Sequence, residues 1–278
     1  MIAKLNKFKL IFYITTAITI AVAALRTASI LTVYEADIGY YQKGAALPFF
    51  HQALIVCSVI LSIAFVFIIK KNTAPDKTPA PSHFSVFASF LCGTLQISSA
   101  VLLLLFQRGS IDTVSLLIIL GFAFATAYFF YDALCPPDKR SPLCVLPAMA
   151  AVIGLVAVII KVHLDYTVTL NNPNKTLIFI TFATISLFVV QELRFIVGRP
   201  QPRAYIATAS IAMLMCAALS IPGIVGHYTN LLSGGDFLIY YMITFGYGVY
   251  IFVRFFTYIK LCSFTESVTE LQADTVTE

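Results

Sequence analysis

Charge is scarce in this sequence. Only 11% of its 278 residues are Asp, Glu, Lys or Arg, whereas a soluble globular protein carries roughly 25%. With 59% hydrophobic residues, the chain has more apolar surface than ordinary burial hides, which excludes a soluble domain and a disordered chain. Cysteine does not form a framework either. Cys57, Cys92 and Cys216 fall inside apolar runs, and Cys135, Cys144 and Cys262 fall at run ends expected to face a reducing cytoplasm. A secreted disulfide scaffold is excluded. Cys135 and Cys144 have no histidine nearby, so they read as small packing residues rather than a metal or redox pair.

Other absences narrow the chemistry. Long polar connections are missing, so no folded soluble domain fits between the runs. Strands of about ten residues alternating polar and apolar are missing, which excludes a membrane barrel. No HExxH, P-loop, GxGxxG or aspartate-rich prenyl-transfer motif occurs, so those chemistries lack their ligands. No histidine pair lies deep enough to clamp a haem, and the last apolar run has no central Lys for a retinal Schiff base. No basic soluble surface exists for nucleic acid. No catalytic residue is assignable, and an enzyme is not the expected reading.

What the sequence does have is eight apolar runs, each close to the roughly 20 residues a helix needs to cross a bilayer: 10–31, 47–69, 84–106, 114–133, 145–160, 177–197, 205–225 and 237–259. The fifth is the shortest and is expected to extend into Cys144 and Val162. The fold class is therefore an all-α integral membrane protein with eight transmembrane helices in a single membrane domain. The first run continues past Arg26 to Leu31, longer than a signal-peptide core, and reads as a retained span.

Thirteen of the 18 Lys and Arg residues cluster at alternate loops: Lys4, Lys7, Lys9; Lys70, Lys71, Lys77; Lys139, Arg140; Arg194, Arg199, Arg203; Arg254, Lys260. The opposite side holds Lys43, Arg108, Lys161 and Lys175, and Arg26 lies within a span. The positive-inside rule then puts both termini in the cytoplasm of a cell membrane, multi-pass. Residues 263–278 are expected to form a disordered acidic tail, with Glu266, Glu270, Asp274 and Glu278 each four apart.

The two halves of the chain, 1–140 and 141–262, share a rhythm of spans and loops. Lys71 aligns with Arg194, Pro81 with Pro202, Ser89 with Ser210, Ser99 with Ser220 and Asp112 with Asp236. A duplication with four spans per half would make the repeats parallel, related by an axis along the membrane normal.

Polar groups inside the runs are the candidate functional residues, because a buried ionisable group in a bilayer is costly and faces the bundle or a wet cavity. Arg26 lies on the stripe Thr15, Thr19, Val22, Arg26. It is a candidate substrate anchor for an anionic group, or a clamp onto Glu35, Asp37 or loop carbonyls. Gln96 lies mid-membrane on the small and polar stripe Ser85, Ser89, Cys92, Gln96, Ser99, the usual glue of close helix packing or else a cavity wall. Glu192, with Asp132 at matching depth, is a candidate coupling carboxylate or ion-pair member, and its expected partners are Arg199, Arg203 or Arg140. The loop 34–44 is a candidate outer lid carrying Glu35, Asp37, Tyr40 and Tyr41. Pro222-Gly223 is expected to unwind or end the seventh span. His51, His163 and His227 have no ligand spacing, so no metal is expected. Asn174-Lys175-Thr176 fits a glycosylation sequon on the outer side.

The run DIGYYQKG from Asp37 to Gly44, with Glu192-Leu-Arg194 ahead of Arg199-Pro-Gln-Pro-Arg203, resembles uncharacterised multi-span membrane proteins of clostridial gut bacteria. That resemblance implies a bacterial cytoplasmic membrane. Eight spans, the two-by-four layout and Gly198-Arg-Pro-Gln-Pro-Arg203 are also similar to the eight-span membrane anchors of the DMSO and polysulfide reductase type, which implies two four-helix bundles and quinol handling. Two readings follow. One is a small-molecule transporter or permease with Arg26 and Gln96 lining a cavity. The other is a membrane anchor subunit of a larger complex, quinol-linked or sensory, with a partner chain. A quinone is a cofactor only on the second reading.

Overall fold

The computed structural model describes residues 6–69, 74–76, 82–107, 109, 111–135, 141–166, 172–232 and 235–276, with side chains described to 232 and from 237 to 265. Lys4, Lys70, Lys71, Lys77, Arg108, Lys139 and Arg140 lie outside the described residues. Eight helices are long and apolar enough to cross a membrane. They are α1 Lys7–Val33, α2 Ala46–Ile68, α3 His83–Phe106, α4 Thr113–Leu134, α5 Val145–Leu164, α6 Pro173–Ile196, α7 Pro202–Tyr228 and α8 Gly235–Val276. A 3-10 turn, Pro142–Cys144, leads into α5, so the short fifth run is extended at both ends as expected. The strand pair β1 Tyr34–Glu35 and β2 Tyr40–Tyr41 forms a small antiparallel hairpin after α1.

Local chemistry sets several helix starts. The Asn6 side chain accepts from Phe8 N in α1. Ser82 and Ser85 form a reciprocal capping box at α3, and Asp112 accepts from Ser115 N at 2.6 Å in α4. Asn172 caps α6 just ahead of Pro173. Each supplies an acceptor to backbone N–H groups that the first turn leaves unpaired.

Helix α7 is the most enclosed span, with 72% of its apolar window buried, and it packs against α1, α2, α6 and α8. Its buried face is rich in small residues (Ala209, Ser210, Ala212, Ala218, Gly223), which let neighbouring backbones approach closely. Helix α8 packs against α7 and α3, α3 against α4, and α4 against α5. The first four helices are thus interlocked with the last four through α1 and α2 on α7, α3 on α8, and α4 on α5. Where α4 crosses α5 the contact is backbone on backbone: a Cβ on Gly121 would come within 2.3 Å of the Gly154 Cα.

Two sequence expectations change. The backbone of α8 stays helical to Val276, where a disordered tail was expected from residue 263; no Gly or Pro interrupts 249–278. Helix α7 also continues through Pro222-Gly223 to Tyr228 instead of unwinding there. Pro222 has no N–H, so the Ala218 carbonyl four residues earlier loses its helical donor. Arg26 of α1 donates to that carbonyl through Nη1, and the tie holds the helix together across the proline.

Candidate functional site

Successive helices run in opposite directions, so the loops fall at two ends of the bundle. The ends of the odd-numbered connections gather the first cluster. Arg26 is 3% exposed. Besides Ala218 O, its guanidinium donates from Nη2 to Asn174 Oδ1 at 2.9 Å. Asn174 Nδ2 donates in turn to the Tyr241 hydroxyl at 2.6 Å. The two partners of Arg26 are neutral, and two hydrogen bonds leave three of its five N–H donors for other acceptors. Neither Glu35 nor Asp37 is the clamp considered for it: both are exposed on the hairpin.

Arg26 stands at one end of a pocket of about 410 Å³, lined also by Tyr41, His51, Gln52, Pro173 and Thr176, with Ile55, Val56, Leu177 and Ile180 along its sides. The hairpin roofs it. Tyr41 packs edge-on against His51 at 5.8 Å between ring centroids and against Tyr34 at 5.4 Å. The His51 ring lies 3.3 Å from Ser29 Oγ. Asn172 Nδ2 donates to the Gly39 carbonyl at 2.8 Å, so one residue both caps α6 and pins the hairpin. Gly39 sits at φ +72°, and a Cβ there would meet that amide nitrogen at 2.8 Å. Both features require glycine. Burial raises the Tyr34 phenol above its usual range, with the Asn172 hydrogen bond pulling the other way. Of the four lid residues named from sequence, Tyr41 lines the pocket, Tyr40 is half-buried, and Glu35 and Asp37 face outward. Asn174 is buried beside Arg26, which removes the sequon from the surface of the folded chain.

A second cluster lies at the other end. Asp132 follows the start of α4 at Thr113 by the same number of residues as Glu192 follows Pro173 in α6 and Arg254 follows Gly235 in α8. These helices run in the same direction, so the three groups share one level. Arg254, 2% exposed, donates from Nη2 to Glu192 Oε2 at 2.7 Å and from Nε to Oε1 at 3.3 Å. The Tyr205 hydroxyl donates to the same carboxylate at 2.5 Å. Asp132 Oδ2 accepts from Ser89 Oγ at 2.7 Å and from the Tyr250 hydroxyl at 3.5 Å. The Tyr250 ring also lies 5.9 Å from the Arg254 guanidinium. The expected partners of Glu192 were Arg199, Arg203 or Arg140. The structure corrects this to Arg254, which the loop count had placed at the membrane surface.

Gln96 belongs to neither cluster. It is fully buried in α3, and its one polar contact among the described residues is with the Cys92 thiol. Gln96 is not among the residues that line the Arg26 pocket. Among the described residues there is no group of three His, Cys, Asp or Glu able to hold a metal ion.

No protein-family model, curated protein or solved structure matches the chain.

Sequence reasoning placed Arg254 only among the surface cations and Asn174 only in a sequon, and it missed Tyr241. A signal for Arg254 was present: it is flanked by Ile251, Phe252, Val253, Phe255 and Phe256, with no acidic residue within a turn. Pro222 was the signal for Ala218, since a proline inside a span frees the carbonyl four residues before it. Nothing local marked Tyr241.

Proposed function

We propose that the protein is a small-molecule transporter or permease whose solute is held through an anionic group at Arg26. One observation carries the reading: a guanidinium buried at membrane depth, bonded among the described residues only to neutral groups, at the end of a pocket lined otherwise by apolar and neutral polar side chains. A buried charge without a counter-ion is expensive, and an anionic solute supplies that counter-ion. The Tyr41 hairpin is the lid over this site. The Asp132–Glu192–Arg254 level closes the opposite end, and Glu192 acts there as an ion-pair member that must be released for passage. Gln96 is helix-packing glue in this scheme.

The test is uptake by proteoliposomes of a panel of monoanions: lactate, benzoate and hexanesulfonate, the last of which stays ionised and leaks little. Saturable uptake of at least one, reduced about 10- to 100-fold by Arg26→Gln as expected for loss of a charged hydrogen-bond donor, supports the reading. Uptake no faster than in empty liposomes for the whole panel counts against it. If a redox or sensory chain also co-purified in fixed ratio, the protein would be a membrane anchor subunit instead.

A further inference from the structure

We infer that the occupant of the Arg26 pocket is a single-chain amphiphile with a monoanionic head, of the long-chain carboxylate class, admitted sideways from the bilayer between α2 and α6. The inference rests on the Arg26 reading above and adds to it the kind of solute and the route.

The first argument is depth. Arg26 lies roughly two helical turns before the end of α1 at Val33, Ile180 roughly two turns after the start of α6 at Pro173, and Val56 nearly three turns after the start of α2 at Ala46. At a rise of about 5.4 Å per turn, the pocket runs from Tyr41 and Pro173 at the helix ends down to Arg26, Ile180 and Val56 roughly 10–15 Å below them, so its deep end lies inside the hydrocarbon region. The second argument is the mouth. Val56 is 57% exposed and Ile180 42% exposed, and both line the pocket. At that depth, the medium they face is lipid. Helix α2 packs on α1 and α7, and α6 chiefly on α5 and α7, so the gap between α2 and α6 is backed by α7 and opens on the exposed Val56 and Ile180. The third argument is the roof. The hairpin, pinned by Asn172 to Gly39 and packed through Tyr41 on His51, covers the side that faces the odd-numbered loops. The pocket is thus covered above and open sideways.

The lining sets the chemistry. One cation meets one negative charge, which selects a monoanion over a dianionic phosphate monoester. Beyond the polar end, the walls are Ile55, Val56, Leu177 and Ile180, which suit an alkyl chain. A volume of about 410 Å³ has room for a carboxylate and part of one chain, with the remainder lying between the two helices.

The experiment uses the full chain in lipid nanodiscs carrying a photoactivatable palmitate, with cross-linked peptides mapped by mass spectrometry. A photoactivatable phosphatidylglycerol and the water-soluble hexanesulfonate as competitor form the other arms. The expected result is palmitate labelling on α2 and α6 around Val56 and Ile180. It should fall about tenfold in Arg26→Gln, be retained in Arg26→Lys, and fall similarly in Val56→Trp and Ile180→Trp, which block the mouth from its lipid-facing rim. Val101→Trp, exposed on α3, should change nothing. Labelling spread evenly along the chain, or unchanged by Val56→Trp and Ile180→Trp, overturns the sideways route. Stronger labelling by the phospholipid than by palmitate overturns the single-chain assignment. If hexanesulfonate uptake depends on Arg26 while palmitate never labels the pocket, the amphiphile is wrong and the transporter reading stands. If neither probe depends on Arg26, both fall.

Discussion

Two arginines buried at opposite ends of the bundle divide the chemistry between them. Arg26 was legible in the sequence because it is a lone charge within an apolar run. Arg254 was not, because it lies close to Lys260 along the chain and was counted with the surface cations. Counting from the helix starts recovers it, since Asp132, Glu192 and Arg254 fall at one depth on three parallel helices. The two arginines are held differently: Arg254 by a carboxylate, Arg26 by a carbonyl and an amide. Breaking a buried pair by removing one partner leaves an uncompensated charge and costs about 3–5 kcal/mol. Glu192→Gln and Arg254→Met should therefore each lower the denaturation midpoint in detergent markedly, and the Glu192→Gln, Arg254→Met double variant should lose less than the two singles added together. Additive losses would show that the groups do not depend on each other.

Seven of the eight spans were readable to within a few residues, because length and apolar content decide what crosses a bilayer; α8 instead runs on past the expected 259 to Val276. Their ends were less so, since capping by Asn6, Ser82, Asp112 and Asn172 depends on side-chain geometry that composition does not reveal. The outcome at Pro222 turned on a contact from another helix, which no local rule contains. One end offers a pH test. The hydrogen bond from Lys161 Nζ at 2.6 Å, together with those from Ser115, lowers the Asp112 carboxyl from 3.8 to about 2 and ties the start of α4 to the end of α5. A carboxyl held below its unfolded value stabilises the fold above pH 3.8, and that contribution disappears as pH falls through about 2. The difference in melting temperature between the protein and Asp112→Ala should be constant from about pH 7 to about 4 and shrink toward pH 2. A difference independent of pH would contradict the assignment. The effect should be small, because Asp112 is largely exposed and screened by solvent.

At the scale of the whole molecule, the least legible property was which helices are neighbours. In a soluble bundle the apolar stripe identifies the buried face, but in a bilayer the lipid-facing side is apolar as well, so pattern alone does not separate contact from exposure. Small residues carry that information instead: α7 with its alanines is the hub, and Gly121 on Gly154 marks the α4–α5 crossing. The resulting arrangement puts α1 and α7 behind a pocket whose sides are α2 and α6 and whose roof is the hairpin, with a sealed ion-pair level at the far end. Its central claim is that Arg26 holds a monoanion. The most direct measurement is calorimetric titration of the purified protein with hexanesulfonate, alongside Arg26→Gln and Arg26→Lys. Saturable binding at one site per chain, weakened about 10- to 100-fold in Arg26→Gln and partly restored in Arg26→Lys, is the predicted result. Equal affinity in all three proteins, or no binding to any of them, would contradict it.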